Sequence, residues 1–110
     1  MSRYIDVHIT APSEEEGNLI ANALVEKRVA ACVHILSIRS FYYWEKILCN
    51  DSEVLLIAKT KDYLFRTHLI PLVKSLHSYE VTEILALPVI DGDPIYLQWI
   101  DEQIISEGEL

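Results

Sequence analysis

The sequence predicts an α+β sandwich, a four-stranded antiparallel sheet with its main helices on one face. Three observations predict it. Segments of strand period and helix period alternate as βαββαβ, with one more helix near the C-terminal end. The second and third strands follow each other directly, as the arms of a long hairpin do. The 110 residues fit a single domain, 1–110, and 51% of them are hydrophobic, enough for a core without a metal or disulfide staple.

Tyr4 to Thr10 alternates and is rich in β-branched residues, which makes it strand one, closed by Pro12-Ser13. Ser13 and Glu16 are spaced as a capping box. Beyond them Leu19, Ile20, Ala23 and Leu24 recur at helical spacing, so helix one is expected over 14–28. Strand two runs from Ala31 to Trp44, heavy in β-branched and aromatic residues, with a bend expected near Ser37–Ser40. Cys49-Asn50-Asp51-Ser52 has turn chemistry, which sets strand three at Glu53 to Thr60. The core of that strand, Val54-Leu55-Leu56-Ile57-Ala58, reads as buried on both faces.

Leu64, Phe65, Leu69, Leu72, Val73 and Leu76 mark a second amphipathic helix over 62–76. Pro71 inside it has no N–H for the Thr67 carbonyl, so a kink or break is expected there. Strand four covers 83–90, and Pro88 within it argues for an edge position. Asp93 caps a last helix with Pro94 at its first position and Leu97, Ile100 and Ile104 as its apolar stripe. Right-handed crossovers in this order give the split βαβ, ferredoxin-like fold. One sheet face is then bare within a single chain, and another copy is the simplest cover for it. Dimer and trimer are equally compatible with that requirement.

Formal net charge is −8, from 17 acidic and nine basic residues. Such a surface repels phosphate backbones, so nucleic acid is not an expected partner. No apolar run approaches the ~20 residues that cross a bilayer, so no membrane role is expected. The opening Met1-Ser2-Arg3-Tyr4 leads straight into strand sequence, and the chain reads as cytoplasmic. Cys32 and Cys49 lack CxxC spacing and are too few for a disulfide framework, so both are expected as free thiols.

Five blocks carry a family likeness: Ala30-Ala31-Cys32-Val33, Ser40-Phe41-Tyr42-Tyr43-Trp44-Glu45, Glu53-Val54-Leu55-Leu56-Ile57-Ala58-Lys59-Thr60, His77-Ser78-Tyr79-Glu80-Val81-Thr82-Glu83-Ile84 with Leu87-Pro88-Val89, and Gly92 with Tyr96-Leu97-Gln98-Trp99-Ile100. In order and spacing the chain resembles the CutA family over nearly its whole length. The resemblance implies a homotrimer of ferredoxin-like subunits joined edge to edge, with a role in tolerance to divalent cations, copper especially. It also places a copper site at Cys32 and His77. The chain departs from the family pattern in three places. Lys46 and Ile47 stand where Gly and Lys are usual, Ser78 and Thr82 replace prolines, and Ile9 sits where some relatives have cysteine. A Gly would tolerate positive φ, and Lys46 does so only at a cost.

Copper(I) favours thiolate, and copper(II) favours imidazole and carboxylate. Cys32, His34, His77 and Glu80 are the plausible donors. Cys32 and His34 are two apart on a strand and share a face. No HxxxH, HxxE or CxxC spacing supplies a preformed set, and Cys32 reads equally well as a small core residue. Cys49, His8 and His68 read as incidental. The aromatic run Phe41 to Trp44 fills a core or an interface. In a sharper reading Trp44 walls an inter-subunit cleft in which Lys59, Tyr79 and Glu83 hold a small anion or metabolite; alternatively Lys59 and Glu83 form an ion pair. Catalysis is not expected, since no nucleophile elbow or phosphate-cradling glycine loop is present. Three readings follow: a metal-binding trimer, a signalling trimer resembling PII proteins, and a structural trimer with incidental metal affinity.

Overall fold

The structure, a computed structural model, describes residues 2–110. In chain order it contains β1 (Tyr4–Ala11), α1 (Glu14–Glu26), β2 (Cys32–Trp44), β3 (Ile47–Lys61), α2 (Ile70–Leu76), β4 (Ile84–Pro88) and α3 (Pro94–Gln103). A short 3₁₀ turn, Glu107–Glu109, follows α3. The sheet order is β2-β3-β1-β4, all neighbours antiparallel, as the split βαβ pattern requires. β4 lies at an edge, where the missing N–H of Pro88 is harmless.

Strand parity places the core. Val7, Ile9 and Ala11 of β1 lie opposite Ala58, Leu56 and Val54 of β3, and all six are buried. Ile20 and Leu24 of α1, with Leu69 and Val73 on the second helical segment, pack onto this face. Gly17 brings α1 close to β3: a Cβ there would stand 2.8 Å from the Val54 Cγ2. A second cluster, Ala31, Leu64, Ile100 and Ile104, fastens α3 to the end of the sheet.

The ends of α1 differ from expectation on both sides. Ser13 accepts from the Glu16 N–H at 3.1 Å, but Glu16 does not reach back to close a capping box. Its carboxylate instead accepts from the Ser78 N–H and hydroxyl, both at 3.1 Å. At the other end α1 stops at Glu26 because Arg28 turns left-handed, with φ of 61°. There the Arg28 guanidinium donates to the carbonyls of Gln103 and Ile104, and the Ile105 N–H returns a bond to the Arg28 carbonyl.

β2 and β3 correct two further expectations. β2 has no break or bulge at Ser37–Ser40: the ladder runs unbroken from Cys32↔Lys59 to Trp44↔Ile47. The turn is Glu45-Lys46, not 49–52, with φ of 49° and 67°. That conformation matches the twist of a two-residue hairpin and ordinarily selects Asn-Gly. β3 is also less buried than its composition suggested. Val54, Leu56, Ala58 and Thr60 are buried, whereas Leu55, Ile57 and Lys59 on the other face are half-buried. Since β1 pairs only as far as Val54, the hairpin beyond it projects as a two-stranded arm, and the molecule measures 45 × 26 × 23 Å.

The expected single helix over 62–76 is three pieces: a 3₁₀ turn at Asp62–Leu64, a π-turn at Phe65–Leu69, and α2. The π-turn accommodates Pro71. The Ile70 N–H bonds the Phe65 carbonyl, five residues back, and Pro71 falls in the first turn of α2, where no N–H is needed. Asp93 caps α3 as expected, accepting from the Tyr96 N–H at 3.3 Å.

Lys46→Gly relieves a left-handed side-chain residue at the arm tip. It is expected to stabilise the fold by about 0.5–1 kcal/mol, read as a higher midpoint in chemical denaturation.

Candidate functional site

The sheet face away from α1 carries Cys32, His34, Leu36, Ile38, Ser40, Tyr42 and Trp44 of β2. The register sets them beside Lys59, Ile57, Leu55, Glu53, Asp51, Cys49 and Ile47 of β3. β1 adds Asp6, His8 and Thr10, and β4 adds Leu85 and Leu87. Leu36, Leu85 and Leu87 are exposed, and the arm exposes Phe41 by 64%, Tyr43 by 72%, Ile47 by 67% and Leu48 by 63%. That is far more apolar surface than one chain covers.

Where the arm leaves the four-stranded sheet, a cleft of about 810 Å³ opens between the arm and residues 78–83. Thr10, Ser40, Tyr42, Trp44 and Glu53 line the arm side, and Tyr79, Glu80 and Glu83 line the other. Glu53 is only 8% exposed, and the Tyr79 hydroxyl donates to its Oε2 at 2.7 Å. Burial, and then the bond to Glu53, pushes the Tyr79 hydroxyl pKa well up, so the phenol keeps its proton. Tyr42 donates likewise to Asp51, and that bond lifts its pKa to about 12.

His77 holds the loop in place. Its side chain is fully buried, Nε2 donates to the Thr10 carbonyl at 2.6 Å, and Nδ1 accepts from the Tyr79 N–H at 3.0 Å. The Glu16 carboxylate that grips Ser78 lies 3.4 Å from Nδ1.

The structure brings together some of the residues singled out in the sequence and separates others. Trp44, Tyr79 and Glu83 share the cleft. Lys59 does not: its ammonium pairs with Asp6 at 2.9 Å, six residues along β3 from Glu53, roughly 20 Å. The alternative Lys59–Glu83 ion pair is therefore not formed. Cys32 Sγ and His34 Nε2 approach to 4.0 Å on the edge strand. His77 bonds the backbone of Thr10, whose row meets β2 at Leu36, four residues or about 13 Å from Cys32. Among the described residues no three His, Cys, Asp or Glu side chains converge as a metal site. Both cysteines are free.

Sequence reasoning missed Glu53, Asp51 and Glu16. A signal for Glu53 was present in strand parity, since it alternates with Leu55, Ile57 and Lys59 and so belongs to the open face. Glu16 carried no such signal, because its partner Ser78 lies 62 positions away.

These features define a class: a ferredoxin-like α+β chain with one bare sheet face, a projecting aromatic arm and an acidic cleft at its root. Residues 5–103 match the family described as CutA1 divalent ion tolerance protein, and the chain belongs to that family. It is 47% identical over 97 residues to the divalent-cation tolerance protein CutA of Thermus thermophilus, covering 87% of this chain and 93% of that one. It is 45% identical over 95 residues to protein CutA of Mus musculus, covering 86% of this chain but 53% of the mouse protein, so the chain spans about half that relative's length. The solved Thermus thermophilus structure superposes with a TM-score of 0.87 at 45% identity, covering 92% and 98% of the two chains. A solved CutA from Archaeoglobus fulgidus, described as periplasmic, gives 0.88 at 41%, covering 91% and 97%. Among the described residues no helix is long and apolar enough to cross a membrane.

The raised Tyr42 pKa has a sign that can be checked. A proton held more tightly in the folded than in the unfolded chain stabilises below the unfolded pKa, about 10. That contribution fades as pH rises through the folded value of about 12. Denaturation curves across this window are expected to show a loss of stability that Tyr42→Phe reduces.

Proposed function

We propose that this chain acts as a homotrimer in divalent-cation tolerance, binding copper or another divalent metal. The observation that carries the metal reading is the Cys32–His34 pair, a soft sulfur and an imidazole nitrogen 4.0 Å apart on an edge strand. Two donors leave the coordination shell open, so further ligands come from solvent or from another copy. His77, the third candidate donor, would have to give up its bonds to Thr10 and Tyr79 to join. Membership of a family whose relatives are described by divalent-cation tolerance supports the same reading.

The trimer reading rests on the exposed apolar arm and the bare sheet face, which a second and third copy would cover. We place the protein in the cytoplasm, where its two free thiols stay reduced. We read it as a binding protein rather than an enzyme, with neither nucleic acid nor membrane as partner. Its net charge of −8 supports a preference for cations over phosphate backbones.

Titration with copper is expected to show saturable binding that Cys32→Ala and His34→Ala each weaken about tenfold or more. A thiolate-to-copper absorption band should vanish in the Cys32 variant. Binding unaltered by both substitutions would overturn the metal assignment. Light scattering should return three times the 12.6 kDa chain mass, and a stable monomer would remove the assembly.

A further inference from the structure

We propose that the C-terminal segment, residues 94–110, is a releasable strap that leaves the end of the sheet as one unit while the sandwich beneath stays closed. This device is independent of the metal pair and of the cleft. Little apolar burial holds the segment. Of its side chains only Ile100 and Ile104 are buried, with Leu97 and Ile105 half-buried. Ile100 and Ile104 meet Ala31 and Leu64 in a cluster that shares no buried member with the main core. No strand of the sheet includes any part of the segment. Its backbone is equally detached. The Val89 N–H bonds the Tyr4 carbonyl and the Ile105 N–H bonds the Arg28 carbonyl; among the described residues no backbone–backbone bond to the body lies between them. The stretch 90–96 is exposed throughout, which places a hinge just ahead of α3.

Two side chains of opposite charge do most of the fastening. The Asp101 carboxylate takes the Tyr4 hydroxyl and the Lys61 ammonium, each at 2.6 Å, and so ties α3 to β1 and β3 at once. The same ammonium lies 4.4 Å from the centre of the Tyr4 ring. On the other flank the Arg28 guanidinium donates to the carbonyls of Gln103 at 3.3 Å and Ile104 at 3.0 Å, and it lies 3.5 Å from the Glu109 carboxylate. Tyr63 adds a bond from its hydroxyl to the Ile105 carbonyl at 2.6 Å. Water replaces such contacts when a surface segment opens, whereas nothing replaces the burial between β1, β3 and α1. Segments with few buried apolar contacts therefore open first. Release bares Ala31 and Leu64 but leaves Val29 and Ala30 in the main core, so the opening stops at the threshold of β2. The open state presents an apolar spot at the sheet end that the closed state hides.

Hydrogen exchange of the full chain in its native assembly, read by mass spectrometry at neutral pH, tests the strap. Amides of 97–104 are expected to exchange about tenfold faster, or more, than those of β1 and of its paired stretch of β3, 54–61. Asp101→Asn and Arg28→Gly should each speed exchange over 94–105 about tenfold further, the loss of charge-assisted bonds, with β1 and β3 unchanged. Glycine suits the φ of 61° at position 28, so that variant removes the guanidinium and leaves the backbone at ease. Strap amides as protected as those of β1 and β3 in the parent chain would overturn the proposal without any variant having to fold. So would exchange that neither substitution alters, or exchange that rises alike in strap and sheet, the mark of unfolding of the whole chain.

Discussion

The pairing of β3 with β1 on one side and β2 on the other is the constraint on which the remaining structure depends. Side chains alternate across a strand, so one register decides both faces at once. Val54, Leu56, Ala58 and Thr60 face the helices, and Glu53, Leu55, Ile57 and Lys59 consequently face outward. A slip by one residue would put Glu53 and Lys59 beneath α1 and bring four core side chains into water. The same register lines up Cys32 with Lys59 and Ser40 with Asp51, so the chemistry of the open face is inherited from the packing of the closed one.

Length mismatch between strands then does the rest. β3 has 15 residues and β1 has eight, and the seven unmatched positions carry the arm beyond the body of the sheet. A two-stranded ribbon has no third strand to shelter it, which is why its aromatic residues are exposed. The cleft exists because the loop after α2 folds back against the root of that ribbon. His77 and Glu16 supply the polar bonds that keep it there.

Much of this was legible in the residues. Element order, the Ser13 and Asp93 caps, the edge position of β4 and the bare sheet face all follow from local chemistry and periodicity. The hairpin turn was misplaced because Asn50-Asp51-Ser52 has the composition of a turn. In the folded chain those residues pair with Phe41, Ser40 and Arg39 on an exposed ribbon, where polar strand residues carry little penalty. Glu45 and Lys46 gave no turn signal, since neither favours positive φ; thirteen flanking pairs impose it. The cleft was half legible. Trp44, Tyr79 and Glu83 line one cleft, though within a single chain where the sequence had suggested a cleft between subunits. Lys59 stands apart, and only the register reveals that Asp6 lies across from it. His77 was singled out for its chemistry, and the fold gives it a structural role that spacing alone cannot display.

The bond between Arg28 and the C-terminal carbonyls also has a bearing on biosynthesis. The guanidinium that completes the end of α1 waits for partners 75 and 76 positions later in the chain. At about 5–20 residues per second, a ribosome needs roughly 4–15 s to add that stretch. β1 waits as long or longer for β4. Through that interval the nascent polypeptide displays an unfinished sheet edge, which closes only once β4 and the residues after α3 have been made.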